Sequence, residues 1–154
     1  MHQKLVRALV AAGKFNWQAF PDLRSYGDGT NSGVTKDTCE SFMDTYCPAQ
    51  MQDVPMLMGA GCSPSPRCPE PDGTKQTNNQ SVAAFLIVRP PIAFFGWGWE
   101  SDDRMWHDIF LLQVGTPAGT CQSNGHGVYT RDFTKGTAKL DCNTWQANLP
   151  FPSL

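Results

Sequence analysis

At 154 residues and 40% hydrophobic content, the chain is long enough to bury one core. Its formal net charge is −2 and its 12 basic residues are scattered, which excludes the basic stripe of a nucleic-acid binder. Arg89 and Pro90-Pro91 interrupt the longest apolar stretch, so neither a transmembrane span nor a membrane partner is expected.

The N-terminal segment reads as an amphipathic helix, with Leu5, Ala8, Leu9 and Ala12 on one face and Gly13 as its stop. Its apolar part is short, is broken by Arg7 and runs into Phe15 and Trp17, unlike a signal peptide. A helix starting at Met1 with no cap before it leads us to expect a longer natural chain. Lys14-Phe-Asn-Trp-Gln-Ala-Phe20 alternates like a strand and stops at Pro21-Asp22; a turn-rich loop, Tyr26 to Gly33, follows.

Asp37 with Glu40 three residues later resembles a capping box. Beyond it, Cys39, Phe42, Met43, Tyr46 and Cys47 share one helical face. Val54 to Gly61 reads as a short buried strand, and a Pro- and Cys-rich loop runs from Cys62 to Gly73. A third helix, about Thr77 to Val88, ends at Pro90-Pro91, and Ile92 to Trp99 forms a third strand. The order helix, strand, helix, strand, helix, strand predicts parallel strands with crossover helices. Gly127-Val-Tyr-Thr-Arg-Asp-Phe133 and Thr137-Ala-Lys-Leu-Asp141 flank a Gly-containing turn and predict a β-hairpin.

Six cysteines, at 39, 47, 62, 68, 121 and 142, show no Cys-x-x-Cys pair and no His at finger-like spacing, which argues against a metal site. Among loops rich in Gly, Pro and Ser they imply disulfides and a secreted or extracellular location. The sequon Asn79-Gln80-Ser81 agrees with that location. Helical rise places Cys39 and Cys47 about 12 Å apart, beyond the roughly 7 Å that a disulfide tolerates between Cα atoms. Each needs another partner, Cys62 and Cys68 being the near candidates.

An apolar helix running into Phe85-Leu-Ile-Val-Arg-Pro-Pro-Ile-Ala-Phe-Phe-Gly-Trp-Gly-Trp99 resembles the last helix and strand of certain glycoside-hydrolase-like (β/α)₈ barrels, in which a Leu-Leu-x-Arg-Gly-Pro-Tyr-Ala-x-Leu-Gly segment stands. Gly115-Thr-Pro-Ala-Gly-Thr-Cys121 is similar to the family's following Gly-Glu-Pro-x-Gly-x-Cys stretch, with Thr116 where Glu is common. The segment Gly127 to Asn143 is similar to its closing hairpin. The resemblance covers most of the second half of the chain and implies a fold better than a reaction. It implies the C-terminal portion of a TIM-type (β/α)₈ barrel, about three βα units over residues 1–110 with strands near 14–20, 54–60 and 92–99. A C-terminal β-hairpin extension would occupy residues 111–154. The family carries cysteines where Cys121 and Cys142 stand, so the resemblance also implies that these two are bonded to each other.

Glycoside hydrolysis usually uses two carboxylates, and barrel enzymes place them at the C-terminal ends of strands. Glu100 and Asp102 are the catalytic candidates on that basis, with Asp22, Asp103 and Asp108 also near strand ends; a solvated acidic loop is the plainer account. Trp17, Trp97, Trp99 and Trp106 are candidates for stacking on the apolar faces of sugar rings, against ordinary core packing. Trp97 and Trp99 would point to one side of a strand, while Gly96 and Gly98 leave the other side bare. His107 is a weaker candidate for a general acid or base. His126 falls in a Gly-flanked turn, and Arg131 and Asp132 should face opposite sides of their strand.

The sequence therefore leads to a fragment of a secreted glycoside-hydrolase-like protein that acts on or binds a carbohydrate, its catalytic pair outside this chain, with no cofactor. The alternative is a small disulfide-stapled secreted binding module without enzyme activity.

Overall fold

The computed structural model describes residues 8–9, 11–12, 18–19, 36–48, 54–59, 75–96 and 111–153. Near the N-terminus, Ala8, Leu9 and Ala11 are helical and the Ala12 N–H donates to the Ala8 carbonyl at 3.0 Å; the rest of the expected first helix lies outside the described residues. Helix α1, Lys36–Tyr46, buries Thr38, Cys39, Phe42, Met43 and Tyr46, the face its apolar spacing predicts. Its start differs from the capping-box expectation. Asp37 lies within the first turn, where its charge complements the helix dipole, and Glu40 pairs with Lys36 at 3.7 Å.

Three short strands, β1 (Gln18–Ala19), β2 (Met56–Gly59) and β3 (Ala93–Gly96), form a parallel sheet in that order. Helix α2, Lys75–Val88, precedes β3. Its residues 80–84 and 86–88 are buried, and the half-buried Phe85 packs on Phe95 of β3 with ring centroids 5.1 Å apart. Met58 is registered with Phe95 and lies on the same face of the sheet. A helix buried around its circumference must be covered on more than one side.

The second cover is a four-stranded antiparallel sheet, β4 (Gln122–Ser123), β5 (Val128–Phe133), β6 (Gly136–Asp141) and β7 (Gln146–Asn148), in sequential order. Tyr129, Arg131 and Phe133 of β5 are buried, as are Ala138 and Leu140 of β6, so one pleat face turns inward. β5, β6 and β7 all contact α2. Gln80 of α2 donates from Nε2 to the Trp145 carbonyl at 2.7 Å. Trp145 itself holds φ +52 in the turn before β7, a left-handed conformation that costs roughly 1–2 kcal/mol in a non-glycine residue. One continuous core contains α1, β2, α2 and the inner face of the antiparallel sheet.

This architecture corrects the barrel expectation. The described residues do not form a portion of a (β/α)₈ barrel. In such a barrel the crossover helix turns its outer face to solvent, whereas the antiparallel sheet covers that side of α2. The hairpin of β5 and β6 therefore supplies core and is no appendage. Among the described residues the larger sheet is antiparallel, and the parallel sheet consists of strands of 2, 4 and 4 residues.

The disulfides also correct an expectation. Cys39 bonds Cys142 and Cys47 bonds Cys121, with Cα separations of 5.6 and 5.2 Å. Cys121 and Cys142 are not joined to each other. Cys121 precedes β4 and Cys142 follows β6, with β5 between those strands; two strand spacings, about 9.5 Å, already exceed disulfide reach. Cys39 and Cys47 do not bond each other, as the helical rise between them requires, but their partners are not the nearby Cys62 and Cys68, which lie outside the described residues. Gly127 (φ +74) is set close by: a Cβ there would strike the Glu40 carboxylate and the Asn143 amide, so α1 approaches this turn at glycine distance.

Peptide mapping without reduction should yield linked peptides 39–142 and 47–121; a linked pair 121–142 would overturn the arrangement. Ile87 is fully buried, so Ile87→Ala should lower unfolding free energy by about 2–5 kcal/mol in denaturant titration with the disulfides intact. A loss well under that range would mean that α2 is not enclosed.

Candidate functional site

Among the described residues, the largest apolar side chains left to solvent are Ile92 and Phe94, 58% and 64% exposed. Phe94 alternates with Ala93 and Phe95, so it stands on the face of β3 that points away from α2, and Ile92 immediately precedes the strand. Leu57 of β2 is registered with Phe94 on this face and is half-buried. The Pro90-Pro91 break brings the chain abruptly from helix to strand, and the sequence then runs from Gly96 into Trp97, Gly98 and Trp99. The result is an apolar surface bearing one aromatic ring, with no hydrogen-bonding side chain among Leu57, Ile92 and Phe94.

The sequence candidates Trp17, Trp97, Trp99, Trp106, Glu100 and Asp102 all lie outside the described residues, as do Asp22, Asp103, His107 and Asp108. His126 is exposed in its turn, its N–H donating to the Asn124 Oδ1 at 2.8 Å. Arg131 and Asp132 face opposite sides of β5: Asp132 is exposed and accepts a hydrogen bond from the Thr137 hydroxyl at 2.6 Å, whereas Arg131 is buried.

The sequence pattern places Arg131 on the opposite side of the strand from Asp132, and the structure buries it. Its Nε donates to the Gly119 carbonyl at 2.9 Å, and its Nη1 donates to the carbonyls of Ile87, at 3.4 Å, and Arg89. It thus satisfies carbonyls at the C-terminal end of α2, where the helix dipole favours a cation. Arg89 and Arg131 both lie over the Phe133 ring, at 5.4 and 5.8 Å from its centroid. Burial lowers the pKa of each guanidinium, and for Arg131 the neighbouring Arg89 charge lowers it further. The Arg89 Nε is buried without a hydrogen-bond partner among the described residues. Two cations lie against one ring here, with carbonyl dipoles in place of a carboxylate among the described residues. The in-out alternation of Tyr129, Arg131 and Phe133 was the available signal that Arg131 points inward.

A second polar node joins α1 to the antiparallel sheet. The Tyr129 hydroxyl donates to Asp44 Oδ1 at 2.6 Å. Burial pushes the Tyr129 phenol well above its ordinary range, and the hydrogen bond to Asp44 with the Asp44 and Glu40 charges adds to the rise, against a smaller opposing effect from Ser123. The pair is 85 residues apart, and no local pattern marks it.

Neither node forms a catalytic constellation: the Tyr129–Asp44 contact holds a helix to a sheet, and Arg131 spends its donors on backbone carbonyls. Among the described residues no group of three or more His, Cys, Asp or Glu side chains is placed to hold a metal ion, and no helix is long and apolar enough to cross a membrane. No protein-family model matches the chain, and no curated protein is significantly similar to it.

The Tyr129 phenolate is disfavoured in the folded state, while an unfolded tyrosine titrates near pH 10. Folding stability should therefore be level with respect to this group below about pH 10 and fall above it. Tyr129→Phe should flatten that decline, as read by urea unfolding at a series of alkaline pH values; an unchanged slope would remove Tyr129 as its source.

Proposed function

We propose that the chain is a disulfide-clamped part of a secreted protein that binds carbohydrate through the aromatic surface of β3 and the tryptophans that follow it in sequence. The observation that carries this reading is the solvent-facing Phe94, with exposed Ile92 just before it, on a strand whose other face is fixed by the packing of Phe95 on Phe85. A planar aromatic ring presented to water on a rigid strand suits the C–H face of a pyranose, and indole rings add both area and an N–H donor. The resemblance to glycoside-hydrolase-like proteins points to the same ligand class. Two disulfides between α1 and the antiparallel sheet suit an oxidising compartment, in which extracellular glycans are met.

The reading assigns ligand binding to the chain and no hydrolysis. Glu100 and Asp102 follow the tryptophans closely enough in sequence to contribute hydrogen bonds to sugar hydroxyls.

Affinity electrophoresis against soluble xylan, arabinan, β-glucan and galactan, with pull-down on insoluble cellulose and chitin, tests the proposal. Retardation by at least one glycan is expected, and Phe94→Ala should weaken it about tenfold, equivalent to about 1.4 kcal/mol. Phe94 is exposed, so its replacement leaves the core intact. The double variant Trp97→Ala/Trp99→Ala should abolish binding. Glycan binding that survives both sets of changes would refute the aromatic platform, and absence of binding across the panel would refute the carbohydrate reading.

A further inference from the structure

We propose that Asn79 is an N-glycosylation site, modified before the antiparallel sheet docks, and that its first sugar seats in a small hollow beside it. Asn79-Gln80-Ser81 is the only Asn-x-Ser/Thr sequon in the sequence, and its middle residue is not proline. Asn79 lies on α2 and is exposed, although the next two residues, Gln80 and Ser81, are 2% and 4% exposed. Beside Asn79 is a cavity of about 220 Å³ lined by Asn79, Leu112, Ala147 and Leu149. A single water occupies roughly 30 Å³ of liquid, so the hollow has the scale of a sugar ring. The other described residues that line it, Leu112, Ala147 and Leu149, are apolar and half-buried. A hexosamine attached to Asn79 would lay its C–H face on Leu112, Ala147 and Leu149 and keep its hydroxyls in water, removing apolar surface from solvent.

The reaction joins the Asn79 Nδ2 to the anomeric carbon of a polyprenyl-diphosphate-linked oligosaccharide. The N–C bond forms as the C–O bond to the diphosphate breaks; the amide nitrogen gives up one proton, and the polyprenyl diphosphate leaves. The transferring enzyme must grip the Ser81 hydroxyl as well as the amide, with the sequon extended. In the folded chain the helix and the burial of Ser81 forbid this. Gln80 is held by the Trp145 carbonyl, 65 residues further along, and Cys142, the disulfide partner of Cys39, is likewise synthesised after the sequon. During synthesis the sequon is therefore accessible before its covering elements exist. The inference requires passage through a secretory compartment but not the carbohydrate-binding reading.

The full chain, directed through the secretory pathway of eukaryotic cells, should carry glycan at Asn79. Release by peptide:N-glycanase in heavy-oxygen water should leave an isotopically marked aspartate at position 79. Asn79→Gln and Ser81→Ala should each abolish the modification, the latter while keeping the asparagine. Secreted, disulfide-intact protein with an unmodified Asn79 overturns the proposal. In a reconstituted transferase reaction the reduced chain should accept oligosaccharide and the folded chain should not; acceptance by the folded chain overturns the timing. Trimming to a single core sugar should leave Tm at the value of the fully glycosylated protein, and Asn79→Gln should lower it by about 2–4 °C. Equal Tm for the sugar-bearing and sugar-free forms overturns the seating in the hollow.

Discussion

The fold depends on the enclosure of one helix. From Gln80 to Val88, α2 turns buried side chains to nearly every direction, and a helix of that kind cannot rest on one sheet with its back to water. Phe95 of the parallel sheet covers the side of Phe85, and the antiparallel sheet and α1 cover other sides. Enclosure creates a polar problem, because peptide groups near the helix end lose access to water and must find partners in protein. Arg131 answers it with donors to the Ile87 and Arg89 carbonyls, and Gln80 donates an amide N–H to the Trp145 carbonyl. A buried guanidinium is costly to desolvate, yet here it is surrounded by carbonyl oxygens and an aromatic face that offset the cost. Both polar residues thus follow from the apolar character of the helix between them.

The second constraint is covalent. α1 is tied near its N-terminal end to the residue after β6 and just beyond its C-terminal end to the residue before β4, so it spans the sheet between two fixed points. The sequence separations of 103 and 74 residues are long. In the chain-entropy picture each bond alone would destabilise the unfolded chain by about 4–5 kcal/mol, with a smaller joint effect because the two loops overlap. The Tyr129–Asp44 hydrogen bond lies on the same helix between the two bonds, so its donor and acceptor are held close before it forms. That preorganisation reduces the entropy the bond must overcome. The Lys36–Glu40 pair, by contrast, is half-exposed and contributes a few tenths of a kcal/mol at most.

Local periodicity was legible in the sequence, and the elements it marks are present: the buried face of α1, the alternation of β5 and β6, and the helix that ends before Pro90. The distance argument that separates Cys39 from Cys47 was legible too, because helical rise is a property of the backbone. What covers α2 was not. A short run such as Val82 to Val88 reads equally well as a barrel crossover helix or as a helix between two sheets, since both are apolar and of similar length. The difference lies in contacts with residues 120–148, and nothing in the local pattern of either segment records them. The disulfide pairing failed for the same reason: two cysteines that bracket a hairpin look adjacent in sequence, but the intervening strand separates them in space. Of the candidate site, the aromatic strand was legible and its polarity was not, because alternation shows that Phe94 and Phe95 take opposite faces without showing which face meets the helix.

That polarity decides how the exposed aromatic should be understood. A strand with apolar residues on both faces is expected where both faces are covered, as in sheets with helices above and below. Here Phe95 is committed to Phe85 of α2, so parity turns Phe94 to the opposite side. Phe94 cannot retreat into the core without shifting the strand by one residue, which would expose Phe95 and break the register with β2. The exposure of Phe94 is thus enforced by the packing of its neighbour and is not a sign of a loose fold. Replacing Phe94 by a polar residue would leave the core untouched, so folding alone does not require an aromatic ring at this position. A requirement for the ring must come from whatever meets that face, and this makes Phe94 a cleaner probe of binding than any side chain of the core.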